Sequence, residues 1–124
     1  MKLVVDENIA LAEEAYSQFG DVLLIGGRQI TNEILRNADA LIVRSITHVG
    51  ENFLQNTKIK FLGTATIGTD HIDTNYLNKN NIAFADANGC NADSVAEYVY
   101  TALLKIAVDN KLTLKNRSIG IIGV

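Results

Sequence analysis

The run Gly63-Thr-Ala-Thr-Ile-Gly-Thr-Asp-His-Ile-Asp73 concentrates hydrogen-bonding side chains between an apolar stretch, Ile59 to Leu62, and a helix-like segment containing Ile72 and Leu77. Thr64, Thr66 and Thr69 place hydroxyls within one short turn, and Gly63 and Gly68 permit backbone conformations closed to other residues. At the carboxyl end of a parallel strand, small residues let a ligand approach the backbone, and the N–H groups opening the next helix can receive an anion. The same residues also suit a plain strand-to-helix turn, with Asp70 as N-cap and Asp73 three positions on. A second polar cluster, Arg44-Ser45-Ile46-Thr47, follows the apolar run Ala40–Val43. A guanidinium there can hold a carboxylate or phosphate through two parallel N–H bonds, and Ser45 and Thr66 can add neutral donors to the same anion.

Other reactive side chains are less well supported. His48 and His71 have no Cys or Glu at metal-ligand spacing, so a solvated or capping role is expected of each and no metal site is. Cys90 follows a glycine in a loop and lies in no acyl-transfer pattern, which predicts a buried, inert thiol. Asp6-Glu7 could form the acidic pocket of a phospho-receiver domain. That chemistry needs an aspartate after the third strand and a lysine after the fifth, where Arg44-Ser45 and Ala85-Asp86-Ala87 stand. A flavin carrier needs a Ser/Thr-rich loop after the first strand, which Asp6-Glu7-Asn8 does not supply.

The elements that would position these residues follow from periodicity. Short apolar runs at Lys2 to Val5, Val22 to Ile25, Ala40 to Val43, Lys60 to Gly63 and Ile82 to Phe84 read as buried strands. Helical spacing separates them: Ala10 to Phe19 closed by Gly20, Thr31 to about Asn37, Gly50 to Asn56, and Asp70 to about Asn78. Strands alternating with helices imply an α/β fold, a flavodoxin-like parallel sheet with helices on both faces. A longer helix begins at Asn91 or Ser94, where Ser94 and Glu97 have capping-box spacing, and reaches about Asn110. Ser118-Ile-Gly-Ile-Ile-Gly-Val124 then reads as a buried strand, the truncated first strand of a Rossmann domain, and the polypeptide reads as a fragment of a longer one. Gly123 fits the first glycine of a dinucleotide fingerprint, with Gly120 before it.

With 124 residues and 48% apolar content, the chain can bury a core of its own. A net charge of −3 with mixed signs gives no basic stripe, which argues against nucleic acid as the main partner. No apolar run reaches membrane-spanning length, and one cysteine forms no internal disulfide, so a reduced, cytoplasmic setting is expected, with no membrane contact. The absence of proline leaves Gly, Asn and Asp as the punctuation between elements.

Taken together, Val5-Asp-Glu-Asn8, Gly27-Arg28, Val43-Arg-Ser45, the Gly63–Asp73 loop, Gly89-Cys-Asn-Ala92 with Val95-Ala-Glu-Tyr-Val99, and Gly120-Ile-Ile-Gly-Val124 resemble the amino-terminal part of the NAD-dependent D-2-hydroxyacid dehydrogenases. The resemblance covers the full length. Where its nearest branch has proline, this sequence has Ala10 or Leu11, Gln29 and Asn88, which leaves those turns less rigid. The resemblance implies a substrate-binding domain over residues 1–90, completed by a segment from late in the full chain. Residues 91–124 would be a linker helix and the opening strand of the NAD-binding domain.

Carried over by position, Ser45 and Thr66 become substrate-binding residues, Arg44 and the backbone around Gly68 their neighbours, and Gly123 a cofactor-binding glycine. The catalytic arginine, glutamate and histidine would lie beyond Val124, so this piece alone is expected to be inactive. The implied ligands are NAD and a small phosphorylated sugar acid, and the implied assembly is a homodimer. Another substrate within the family, or a non-catalytic ligand-sensing module of the same fold, are the alternatives.

Overall fold

The computed structural model describes residues 1–122, and its contacts divide the chain into a unit spanning Met1–Cys90 and a second that begins at Asn91. In the first unit, strands β1 (Lys2–Asp6), β2 (Asp21–Ile25), β3 (Ala40–Val43), β4 (Phe61–Thr64) and β5 (Ala83–Ala85) form one sheet in the order β2-β1-β3-β4-β5. Every pairing is parallel. Between them lie the short helices α1 (Ala12–Tyr16), continued as a 3-10 turn over Ser17–Phe19, α2 (Asn32–Leu35), α3 (Glu51–Leu54) and α4 (Thr74–Lys79). The expected order and the parallel α/β architecture are therefore present, with the strands starting and ending within a residue or two of the apolar runs.

Alternation along the strands sends side chains to two faces. Val4, Leu41, Val43 and Leu62 meet Leu35, Leu54 and Leu77 from α2, α3 and α4 on one face. Leu3, Val5, Ala40 and Ile42 meet Ala12 and Tyr16 of α1 on the other. Helices thus sit on both faces, three against one. The lightly covered face keeps an apolar hollow of about 370 Å³ lined by Leu3, Tyr16, Phe19, Ala40, Ile42 and Phe61, among others. Gly63 belongs to this face because a Cβ there would come within 3.0 Å of Ile42 Cδ1.

In a parallel sheet all strand carboxyl ends emerge at one edge. The register Val5↔Ile42, Val43↔Thr64 and Gly63↔Ala85 brings the segments after β1, β3, β4 and β5 side by side there. An isolated parallel bridge, Val49↔Ile72, ties the loop after β3 to the loop after β4. The two polar clusters read from the sequence therefore stand as neighbours.

The second unit contains α5 (Ala92–Asp109), with an i,i+4 ion pair between Lys105 and Asp109. Asn91 stands at its N-cap without a side-chain capping bond, and Ser94 lies inside the helix, so the expected Ser94–Glu97 box is not formed. Residues 118–122 form no strand. A strand's N–H and C=O groups need a neighbouring strand, and none flanks this segment among the described residues. Gly123 lies outside the described residues.

Candidate functional site

Ser45, Thr66 and Gly68 converge on one hollow of about 390 Å³, together with His48, Asp70 and His71. Ser45 belongs to the turn after β3 and Thr66 to the bend after β4. The parallel register of β3 and β4 is what makes their side chains neighbours across 21 positions of sequence. A broader, shallower groove of about 680 Å³ runs alongside and shares His48, Asp70 and His71. Its other walls come from α3 and the Val49↔Ile72 bridge, so the two depressions are one continuous edge of the sheet. The smaller one holds the hydroxyls and falls within the 300–1,000 Å³ or so usual for small-molecule pockets.

The loop from Thr66 to His71 offers donors. Ala65 N–H still bonds Val43 O across the sheet and Ile72 N–H bonds Thr69 O, but the intervening amides donate to no protein acceptor among the described residues. Exposed amides of this kind can turn to an anion. The opening of α4 does not join them. Asp73, and not Asp70, is its N-cap, and the Asp73 carboxylate already accepts from Tyr76 N–H at 2.9 Å. Asp70 instead lines the hollow.

Arg44 is placed differently from the expectation of an anion grip. Its Nε donates to Asp6 Oδ2 at 2.9 Å and its Nη2 to Asp6 Oδ1 at 3.4 Å, and it does not line the hollow. The reason lies in Asp6, which is fully buried and must be paired if it is charged. Burial by itself raises the Asp6 carboxyl, yet hydrogen bonds from the Asn8 N–H, Arg44 and the Asn8 side chain, with the charge of Arg44, outweigh it and hold the group below its ordinary value. The pair knits the tips of β1 and β3. Gly27 completes the knot, since a Cβ there would stand 2.5 Å from Asp6 Oδ2 and 2.8 Å from Thr47 Oγ1. Thr47 in turn donates to Gly27 O at 3.0 Å. Asp6 is thus an anchor, a role that its neighbours in sequence do not announce.

Gly68 also differs from its expected part. Its φ is not positive, and a Cβ on it would meet nothing within 4 Å, so the backbone there demands no glycine. Cys90 is exposed, not buried, and no group of metal-ligating side chains forms among the described residues. His71 is the residue that sequence reasoning undervalued. It is buried, and its Nε2 lies 3.0 Å from Thr64 Oγ1, which lies 2.8 Å from Thr66 Oγ1. Desolvation, reinforced by the nearby charge of His48 and opposed by Asp70, keeps its pKa below the ordinary imidazole value. The imidazole is therefore neutral near pH 7.

A five-stranded parallel sheet with polar loops gathered at its carboxyl edge is an architecture in which α/β proteins bind small molecules. The chain belongs to the D-isomer specific 2-hydroxyacid dehydrogenase family, matching its catalytic domain over residues 5–118. It is 50% identical over 124 residues to the erythronate-4-phosphate dehydrogenase of Yersinia enterocolitica and 50% identical to that of Salmonella arizonae. These alignments cover 100% of this chain and 33% of each relative, so the chain spans about a third of the length of the curated relatives it matches. Among solved structures, the NAD⁺-bound 3-phosphoglycerate dehydrogenase of Entamoeba histolytica superposes with a TM-score of 0.65 at 27% identity, over 79% of this chain and 36% of that one.

Proposed function

We propose that this chain is the substrate-binding part of an NAD-dependent dehydrogenase that oxidises 4-phospho-D-erythronate at its 2-hydroxyl to 3-hydroxy-2-oxo-4-phosphobutanoate, a step toward pyridoxal 5'-phosphate. The observation that carries this reading is the meeting of Ser45, Thr66 and the Gly68 backbone at one hollow, in a chain half identical to erythronate-4-phosphate dehydrogenases. Hydroxyls and unpaired amides suit an anionic acid, which a pocket lined only by carbon would reject. Arg44 spends two N–H groups on Asp6, and its others make no bond to a protein acceptor among the described residues. From the neighbouring strand tip those donors supply positive potential beside Ser45.

NAD would accept the hydride from C2 of the acid. Among the described residues the Gly-Gly pair between a strand and a helix is Gly26-Gly27, between β2 and α2, and there the Asp6 carboxylate and Thr47 crowd the second glycine, which does not suit a pyrophosphate. What this chain's own residues do is bind and orient: fixing the acid by several contacts removes the entropy that hydride transfer would otherwise cost. Residues 1–90 are assigned to the substrate domain, and α5 to the link toward a nucleotide-binding domain. The whole protein is assigned as a cytoplasmic homodimer, and the 124-residue chain by itself as inactive.

The test is steady-state kinetics on the full-length enzyme. Thr66→Ala and Ser45→Ala should each raise the KM for 4-phosphoerythronate about tenfold, the loss of one hydrogen bond to a charged group, and leave the KM for NAD within about twofold. An unchanged KM for the acid in both variants contradicts the assignment.

A further inference from the structure

His71 is seven positions from Thr64, and its mostly buried ring lines the hollow beside that residue's hydroxyl. With Thr66 as the donor to Gly68 O, the proton count along this chain of groups has one solution. Gly68 O is an acceptor only, and Thr66 Oγ1 lies 3.4 Å from it as the donor. The single Thr66 proton is thereby used, so the 2.8 Å bond between Thr66 and Thr64 must be donated by Thr64. The single Thr64 proton is then used as well. The 3.0 Å bond between Thr64 and His71 Nε2 must come from the histidine. No buried side-chain nitrogen or oxygen lacks a partner among the described residues, and Nδ1 makes no bond to the protein, so Nδ1 meets solvent and imposes no opposing preference.

We propose that His71 is a positioning residue: held as the Nε2–H tautomer, it donates to Thr64, which donates to Thr66, so that the Thr66 hydroxyl proton is left pointing outward for an anionic ligand. The inference rests on the reading of the hollow as the phospho-acid site. Reversing the relay, with Nε2 as acceptor, would draw the Thr66 proton inward and present lone pairs to the anion, which repels them. The outward proton rests on Gly68 O across 3.4 Å, longer than the roughly 2.5–3.0 Å of an ordinary O–H···O bond, so an incoming carboxylate or phosphate takes it over readily. His71 never needs to touch the ligand for this. It also accounts for a buried imidazole beside two threonines, a combination that packing alone does not require.

Two measurements on the protein test the proposal. Long-range ¹H–¹⁵N correlation of the His71 ring near pH 7.5 should show the proton on Nε2, and a proton on Nδ1 with a bare Nε2 overturns the relay without reference to any ligand. Affinity for 4-phosphoerythronate should fall about tenfold in His71→Leu and recover to within about threefold of wild type in His71→Gln, whose side-chain amide can still donate to Thr64. In a Thr66→Ala background His71→Leu should cost nothing further, because the hydroxyl it orients is gone. An equal loss in both backgrounds would mean that His71 only supports the fold. Should His71→Leu not fold, the glutamine variant decides: loss of binding with an unchanged melting temperature contradicts the proposal. If wild-type protein with the Nε2–H tautomer ignores the acid altogether, the substrate assignment fails while the relay's direction stands.

Discussion

Gly68 lines the hollow although the fold does not need a glycine there. A methyl at that position meets no protein atom, so Gly68→Ala should leave the urea midpoint unchanged or slightly raised. Its effect belongs to the ligand: a Cβ beside the loop amides should weaken phospho-acid binding several-fold, and unchanged affinity would show that the ligand does not approach this backbone. Asp6 makes a separate prediction through pH. Its folded pKa lies below the ordinary 3.8, so its stabilising contribution is complete above that value and is lost as pH falls through the folded pKa. His71 acts in the same direction from higher pH, because its depressed folded pKa makes protonation costlier in the folded state below 6.5. Urea midpoints recorded from pH 7 to 3 should therefore decline in two stages. Asp6→Asn should flatten the lower stage and His71→Gln the upper one, and an undiminished slope in either variant would count against its group.

At the scale of elements, the strands were legible because buried parallel strands are short apolar runs with polar tips, and Lys2–Asp6 and Ala40–Val43 have that form. Helix ends were less so. Asp70 and Asp73 offer identical carboxylates three positions apart, and the bridge at Ile72 decides that the helix starts only after Asp73. Ser94–Glu97 has the spacing of a capping box, but the backbone turns helical at Ala92, which puts Ser94 beyond use as a cap. The partnership of Asp6 with Arg44 spans 38 positions and could not be read from local pattern, since periodicity reports burial and not which charge meets which. Gly27 records that partnership. Gly27→Ala would push a methyl into Asp6 and Thr47 and should destabilise the protein by about 1–3 kcal/mol, as overpacking does. Wild-type stability in that variant would mean that the Asp6–Arg44 pair is loose enough to move aside.

At the scale of the molecule, the sheet order explains why the candidate site was partly legible in the sequence. Once β3 and β4 are known to be adjacent and parallel, Ser45 and Thr66 must share an edge, so their meeting follows from topology. The orientation of Arg44 and the burial of His71 do not follow, because both depend on side-chain pairing across elements. The face that carries α1 keeps an apolar hollow beside Phe61. The proposed phospho-acid site lies at the carboxyl ends of the strands, in the hollow of Ser45, Thr66 and Gly68. An amide ¹H–¹⁵N titration with 4-phosphoerythronate tests it most directly, because such spectra register even millimolar binding and report residue by residue. Saturable shifts are expected at Ser45, Thr66, Gly68 and Thr69. Shifts confined to the loop from Glu7 to Gln29, or none at saturating acid, would contradict it.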